Sequence, residues 1–219
     1  MAALNVIFRN THNNLYYAEG VHYLLQQVFP ERSVRFRSVS DLSHEDADCS
    51  DIIILDLCRG EEFLCHRALS GSRPGLLIGL TEDKYQPEKQ TQPLCLRHMS
   101  FICKHDSPES MAHHISEALV TALKSEEEDI PAGTNACHIC PHRDLSVQQK
   151  KVVESLCRGM TINQISRRLL LTQTTIYAHK QFVYRRFNLH CNRDLLLLHR
   201  QIVRLSRVTK TGPGGCDIL

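Results

Sequence analysis

The chain has no tryptophan and only 6% aromatic residues, and it contains no run of eighteen uncharged apolar residues. The last absence excludes a helix that crosses a bilayer. The opening stretch, MAALNVIFRNTHNN, lacks the basic start and continuous apolar core of a secretion signal. There is no Gly-rich phosphate loop, no pair of catalytic carboxylates and no nucleophile–base motif, so nothing points to a metabolic enzyme. A dense disulfide framework is also missing. The ten cysteines lie mostly singly in apolar surroundings, as Cys58, Cys103 and Cys157 do, where a reduced thiol acts as a small hydrophobe. A protein of the cytoplasm with no membrane association is expected.

One scarcity divides the chain. Between Ser146 and Lys210 only Glu154 and Asp194 are acidic, against 13 Lys and Arg. From Met1 to Leu145 the balance reverses, with 21 acidic residues against 13 basic ones. The overall charge of +2 therefore hides an acidic part followed by a basic one. At 219 residues there is room for two domains, and the second is expected to face a polyanion.

The first part alternates strand-like and helix-like segments. LNVIFRN (4–10), SVRFRSV (33–39), DIIILDL (51–57), GLLIGLTED (75–83) and SFICK (100–104) read as five strands. The continuous apolar run in DIIILDL is that of a strand buried on both faces of a parallel sheet. Helical spacing marks 15–29 and 107–124, the latter with Ser107 as N-cap and Pro108 at its first position, and EEFLCHRAL (61–69) reads as a short helix. Together these predict an α/β doubly wound domain over residues 1–124, with a five-stranded parallel sheet. Residues 125–144 carry a charge run, Pro, Gly and no periodicity, as a linker would.

Residues 145–210 read as an all-α domain of four helices, and 211–219 as a tail. Ser146 with Gln149, and Thr161 with Gln164, have the spacing of capping boxes, and Thr172 can cap a third helix. That third helix must bury Ile176, Val183 and Phe187. Its other face then offers Thr174, Tyr177, Ala178, Gln181 and Arg185, side chains suited to base edges and phosphates in a groove. The joint around Leu170–Thr172 gives the middle pair the form of a helix-turn-helix.

The motifs LS (145–146), GMT (159–161), QISRRL (164–169), TI-Y-A-H within 175–179 and NRDLL (192–196) resemble those of the LuxR/FixJ-type, or GerE-like, DNA-binding domain. The resemblance implies that Tyr177, Ala178 and Gln181 read bases, while Thr174, Thr175, His179 and Lys180 contact the backbone or support docking. The chain departs from the family in VQQKK of the first helix and in Ser166, where the family has a small Ala. The implied partners are double-stranded promoter DNA and a second subunit, in a homodimer or in a heterodimer with a related regulator.

The first domain resembles a response-regulator receiver. Asp56, Thr81 and Lys104 end the third, fourth and fifth strands, where receivers hold a phospho-accepting Asp, a hydroxyl and a Lys. In receivers an acidic pair follows the first strand and helps to hold Mg²⁺. Here those positions are Asn10 and Thr11, and no carboxylate precedes Glu19. The chain is therefore similar to a degenerate receiver, or pseudo-receiver, of the RcsA and BglJ kind, with neither catalytic residue nor cofactor. Two alternatives stay open. One is a phosphorylatable two-component response regulator using Asp56. The other is a metal- or thiol-responsive regulator using Cys137, Cys140 and His142, close to His138 in ACHICPH, a cluster too tight to complete an ordinary zinc finger on its own.

Overall fold

The structure is a computed structural model that describes residues 3–70, 75–84, 87–88, 90, 92–124 and 140–208. The chain divides into two compact units. The first comprises Met1–Leu57 and Cys65–Pro141, the second Cys58–Leu64 and His142–Leu219. Most of the expected linker (125–139), with Cys137 and His138, lies outside the described residues, as does the tail 211–219.

Five strands build the sheet of the first unit: β1 (Leu4–Arg9), β2 (Val34–Val39), β3 (Ile52–Asp56), β4 (Leu76–Thr81) and β5 (Ser100–Cys103). Their order is β2-β1-β3-β4-β5, and all pairings are parallel. The pleat sends alternate residues of β3 to opposite sides. Ile52 and Ile54 join Val6, Phe8, Ile78 and Ile102 in one apolar layer, while Ile53 and Leu55 join Ile7 and Leu77 in the other. Helices α1 (Leu15–Val28) and α3 (Pro108–Lys124) cover the first layer through Val21, Leu25 and Ile115. The other is covered by Leu42, Leu69, Leu96 and Met99, together with Ala47 of the short helix α2 (His44–Asp48). With a helix layer on one side and packed loops on the other, β3 reads as an unbroken apolar run because it has no wet face. Gly79 of β4 fits tightly: a Cβ there would meet Met99 Sδ at 2.5 Å and Leu57 Cδ1 at 2.9 Å.

The fold class matches the sequence reading, but 61–69 does not form one helix. It forms two single 3₁₀ turns, Glu61–Phe63 and Arg67–Leu69, and Glu61, Glu62, Phe63 and Leu64 are all buried. A segment enclosed on several sides has no solvent face to give an amphipathic helix its stripe. Nor did the sequence reading distinguish α2, whose five residues span little more than a turn.

The second unit holds α4 (Val147–Cys157), α5 (Ile162–Leu169), α6 (Gln173–Arg186) and α7 (Asn192–Val208). Both capping boxes are present. Ser146 Oγ accepts from the Gln149 N–H while the Gln149 side chain accepts from the Ser146 N–H, and Thr161 and Gln164 do the same. Thr172 caps α6 by accepting from the Thr175 N–H at 3.1 Å. At about 1 kcal/mol each, such caps fix where short helices begin. Phe63 and Leu64 share an apolar cluster with Leu145, Val153, Val183, Phe187 and Leu198. The Arg143 guanidinium lies 3.4 Å from the Phe63 ring centroid, and the Arg143 N–H donates to the Phe63 carbonyl at 2.9 Å. Gly60 enters this segment at φ +88°, and a Cβ there would meet the Phe187 carbonyl oxygen at 3.0 Å. Among the described residues, no helix is long and apolar enough to cross a membrane.

Glu62 gives the second unit a pH dependence. Burial, with the charge of Glu61 adding to it, pushes the Glu62 carboxyl up to about 7. Between its unfolded value and about 7 the folded chain keeps a proton that the unfolded chain has lost. This contribution to stability is greatest in acid and declines as pH rises through that window. Glu62→Gln should remove the decline and stabilise the protein at pH 8 by roughly 1–3 kcal/mol. Urea denaturation at about pH 5 and pH 8 checks this, and an undiminished difference in the variant would place the effect elsewhere.

Candidate nucleic-acid interface and carboxylate site

Helix α5 ends where Leu170 turns into the left-handed region, at φ 53°. The Leu170 and Leu171 N–H groups both donate to the Ser166 carbonyl, closing the helix. The Ser166 hydroxyl returns a bond to the Leu171 carbonyl at 2.6 Å, so Ser at this position ties the turn that α6 leaves from. Val152, Ile165 and Ile176, each 0% exposed, join α4, α5 and α6 in a shared apolar cluster. Val183 and Phe187 bury the same side of α6 further along.

The opposite side of α6 is open. Thr174, Tyr177, Ala178, Gln181 and Arg185 are all exposed, while Thr175, His179 and Lys180 are partly buried. Thr175 Oγ1 lies 2.8 Å from Thr172 Oγ1, within the cap of the helix. Lys180 Nζ sits 5.2 Å from the Tyr184 ring centroid, and the Arg186 guanidinium 5.9 Å from that of Phe182. Arg185, Arg186, Arg167 and Arg168 lie in the last turns of α6 and α5, where cations suit the negative end of a helix dipole. The eight residues expected to meet DNA thus lie on one fixed helix, with the expected base readers on its solvent side.

In the first unit the three expected polar residues lie at one end of the sheet, and two of them, Asp56 and Lys104, are in contact. Asp56 is 2% exposed, and Lys104 Nζ lies 2.5 Å from its Oδ1. The same ammonium donates to the Leu57 carbonyl at 2.8 Å and to Glu82 Oε1 at 3.1 Å, so all three of its protons have acceptors. Burial works against it, yet Lys104, and His105 after it, hold the Glu82 carboxyl below its ordinary value. The Thr81 hydroxyl donates to the Asp83 carbonyl at 2.7 Å.

Where a metal-binding receiver carries its acidic pair, this chain does different work. The Asn10 amide donates to the Asn14 carbonyl and its oxygen accepts from the Asn14 N–H, both at 3.0 Å, which braces the start of α1. The Thr11 hydroxyl donates to the backbone carbonyl of Asp56. Arg9, 4% exposed at the end of β1, donates to that carbonyl at 3.2 Å. Tyr17 lies nearby, and burial, with the Asp56 charge adding, pushes its hydroxyl well above the ordinary phenol value. Arg9, Glu82 and Tyr17 escaped the sequence reading, although a cation closing the apolar strand LNVIFR is itself a sign of a buried polar partner. At this edge Lys104 is shared between Asp56 and Glu82, and His105 Nε2 lies 3.4 Å from Glu82 Oε2. Among the described residues, no third carboxylate, His or Cys comes close enough to make this a metal-ligand cluster. Of the Cys/His cluster, Cys140 Sγ accepts from the Leu94 N–H at 3.3 Å, and His142 Nε2 lies 3.3 Å from Asp144 Oδ2.

The buried pair yields a stability test. Lys104→Met leaves the Asp56 carboxylate without its principal counter-ion and should destabilise the protein by about 3–5 kcal/mol. Adding Asp56→Asn should recover much of that loss, with the two changes coupled in a double-mutant cycle by denaturation. Additive losses would show that the two side chains do not depend on each other.

Comparison with known proteins follows the same division. No curated protein matches the chain. RcsB from Salmonella enterica serovar Typhimurium, solved bound to promoter P1flhDC with the phosphomimetic BeF3-, is 17% identical; the match covers 90% of this chain and 98% of that one, with a TM-score of 0.52. A second structure, a complex of the two-component response regulator RcsB with DNA, is 18% identical over 90% of this chain and 98% of that one, with a TM-score of 0.49. At such identity the first of these establishes likeness of fold. The family described as bacterial regulatory proteins, luxR family (GerE), matches residues 143–198, which cover α4, α5, α6 and the first part of α7. Over these residues the chain is similar to the luxR family of bacterial regulatory proteins.

Proposed function

We propose that this protein is a sequence-specific transcriptional regulator that reads promoter DNA with α6 and acts without phosphorylation, as a homodimer or paired with a related regulator. The observation that carries DNA reading is the exposed row Thr174, Tyr177, Ala178, Gln181 and Arg185 on a helix pinned by Ile176, Val183 and Phe187. In the major groove Tyr177, Ala178 and Gln181 face base edges. Thr174, Thr175, His179, Lys180 and Arg185 serve phosphates and docking. The domain boundaries go with this reading: receiver-like over 1–124, linker over 125–144, DNA-binding over 145–210.

Independence from phosphorylation rests on the charge at the sheet edge. A hard divalent cation needs uncompensated carboxylate oxygens. Here Lys104 lies against both Asp56 and Glu82, Arg9 donates to the Asp56 backbone carbonyl, and the positions of the acidic pair hold Asn10 and Thr11, both engaged in hydrogen bonds. Without Mg²⁺, the charge on an incoming phosphoryl group falls to Lys104, whose protons are already taken by Asp56, Glu82 and the Leu57 carbonyl. This supports a reading of the protein as a regulator of the RcsA and BglJ kind, which acts largely by pairing with a phosphorylatable relative. The retention of Asp56, Thr81 and Lys104 at three strand ends favours the alternative, a phosphorylatable switch.

A mass measurement separates the two. After incubation with acetyl phosphate and Mg²⁺, the intact protein should keep its mass while a control receiver in the same tube gains a phosphoryl group. A phosphoryl adduct lost in Asp56→Ala would establish the switch instead.

DNA reading has its own test. Gln181→Ala should weaken binding to the preferred site by about 1–3 kcal/mol and relax its specificity. Arg185→Ala should weaken binding to all sequences alike and lower the salt slope by about 1. Competition binding over a range of salt distinguishes them, and an unchanged preference in Gln181→Ala would remove that residue from base reading.

A further inference from the structure

Helix α3 carries three potential ligands that neither the sheet edge nor the DNA-binding unit uses. Glu117 stands four residues after His113 and three after His114, so each imidazole neighbours the same carboxylate on the helix surface. Their donor atoms converge. Nδ1 of His113 lies 3.4 Å from Glu117 Oε2, and Nδ1 of His114 lies 3.5 Å from the same oxygen. The two rings meet edge to face, with centroids 5.9 Å apart at 81°. All three donor atoms lie within 4.8 Å of one another.

We propose that His113, His114 and Glu117 form a surface site for a divalent transition-metal ion of the Zn²⁺, Ni²⁺ or Co²⁺ type. Two imidazoles direct the same ring nitrogen to the same oxygen, so three metal-competent donors converge on one region of the helix surface. With metal–ligand bonds of 2.0–2.2 Å and tetrahedral angles, neighbouring donor atoms stand roughly 3.4 Å apart. Two of the three edges already have that length, and the third closes by small rotations of side chains that are 46–69% exposed. Two imidazoles and one carboxylate select a borderline first-row ion and not Ca²⁺ or Mg²⁺, which favour oxygen donors throughout. Three ligands from one helix leave at least one coordination position open to water or to a donor from another molecule.

Thiolates also take such ions and the chain has ten cysteines, so the test uses a probe that tells sulfur from nitrogen and oxygen. Full-length protein, reduced and stripped with chelator, is titrated with Co²⁺, whose thiolate complexes show an intense near-ultraviolet charge-transfer band. We expect one equivalent to bind with visible ligand-field absorption and without that band. His114→Ala and Glu117→Gln should each weaken this binding at least roughly tenfold. All three side chains are exposed, so the variants should unfold at the same denaturant concentration as the parent, which removes misfolding as an explanation. Binding that carries the thiolate band and ignores both substitutions would assign the metal to cysteine and overturn the proposal. The absence of any saturable Co²⁺ binding would overturn it equally.

Discussion

The first unit depends on how its central strand ends. β3 is buried along its whole length, so its backbone must pair on both sides and its side chains must be apolar on both faces. Asp56 is where that regime stops, still inside the protein. A carboxylate buried there costs several kcal/mol unless a cation meets it, and Lys104, from the end of β5, does so across the intervening strand. The ammonium's other bonds, to Leu57 and Glu82, tie down the loops that follow β3 and β4. The bonds of Arg9 and Thr11 to the Asp56 carbonyl do the same for the end of β1. One ion pair thus organises four chain segments.

The helical unit is governed by local rules. Each of its first three helices starts on a hydroxyl residue whose side chain accepts a backbone N–H three positions on. The short joint between α5 and α6 works because Leu170 takes a left-handed conformation and Ser166 ties the turn on both sides. These local bonds fix the geometry of the turn from which α6 leaves. The buried cluster of Val152, Ile165 and Ile176, with Leu156, Met160, Ile162, Leu169 and Leu171 packed against it, fastens the helix pair to α4.

Legibility from sequence followed this difference. Caps, apolar periodicity and the Asp56, Thr81 and Lys104 strand ends were readable because each is a relation between residues a few positions apart, or a break in a continuous pattern. The open face of α6 was readable by subtraction, once Ile176, Val183 and Phe187 were assigned to the interior. Arg9, Glu82 and Tyr17 were not, since only the closing of the sheet brings their loops to one edge. Glu61 and Glu62 misled for a related reason: two adjacent carboxylates look like solvent-facing residues, and their burial is a property of the surroundings and not of the segment.

The discontinuity of the second unit bears on modularity. Family likeness begins at residue 143, and the helices begin at Val147. The apolar cluster that supports them, however, includes Phe63 and Leu64, encoded some eighty positions earlier. A gene fragment cut at the start of the helical region would encode the recognition apparatus without part of its own interior. The unit of inheritance and the unit of packing do not coincide in this chain. Transplanting helices α4 to α7 onto another protein requires a substitute for one phenylalanine and one leucine from far upstream.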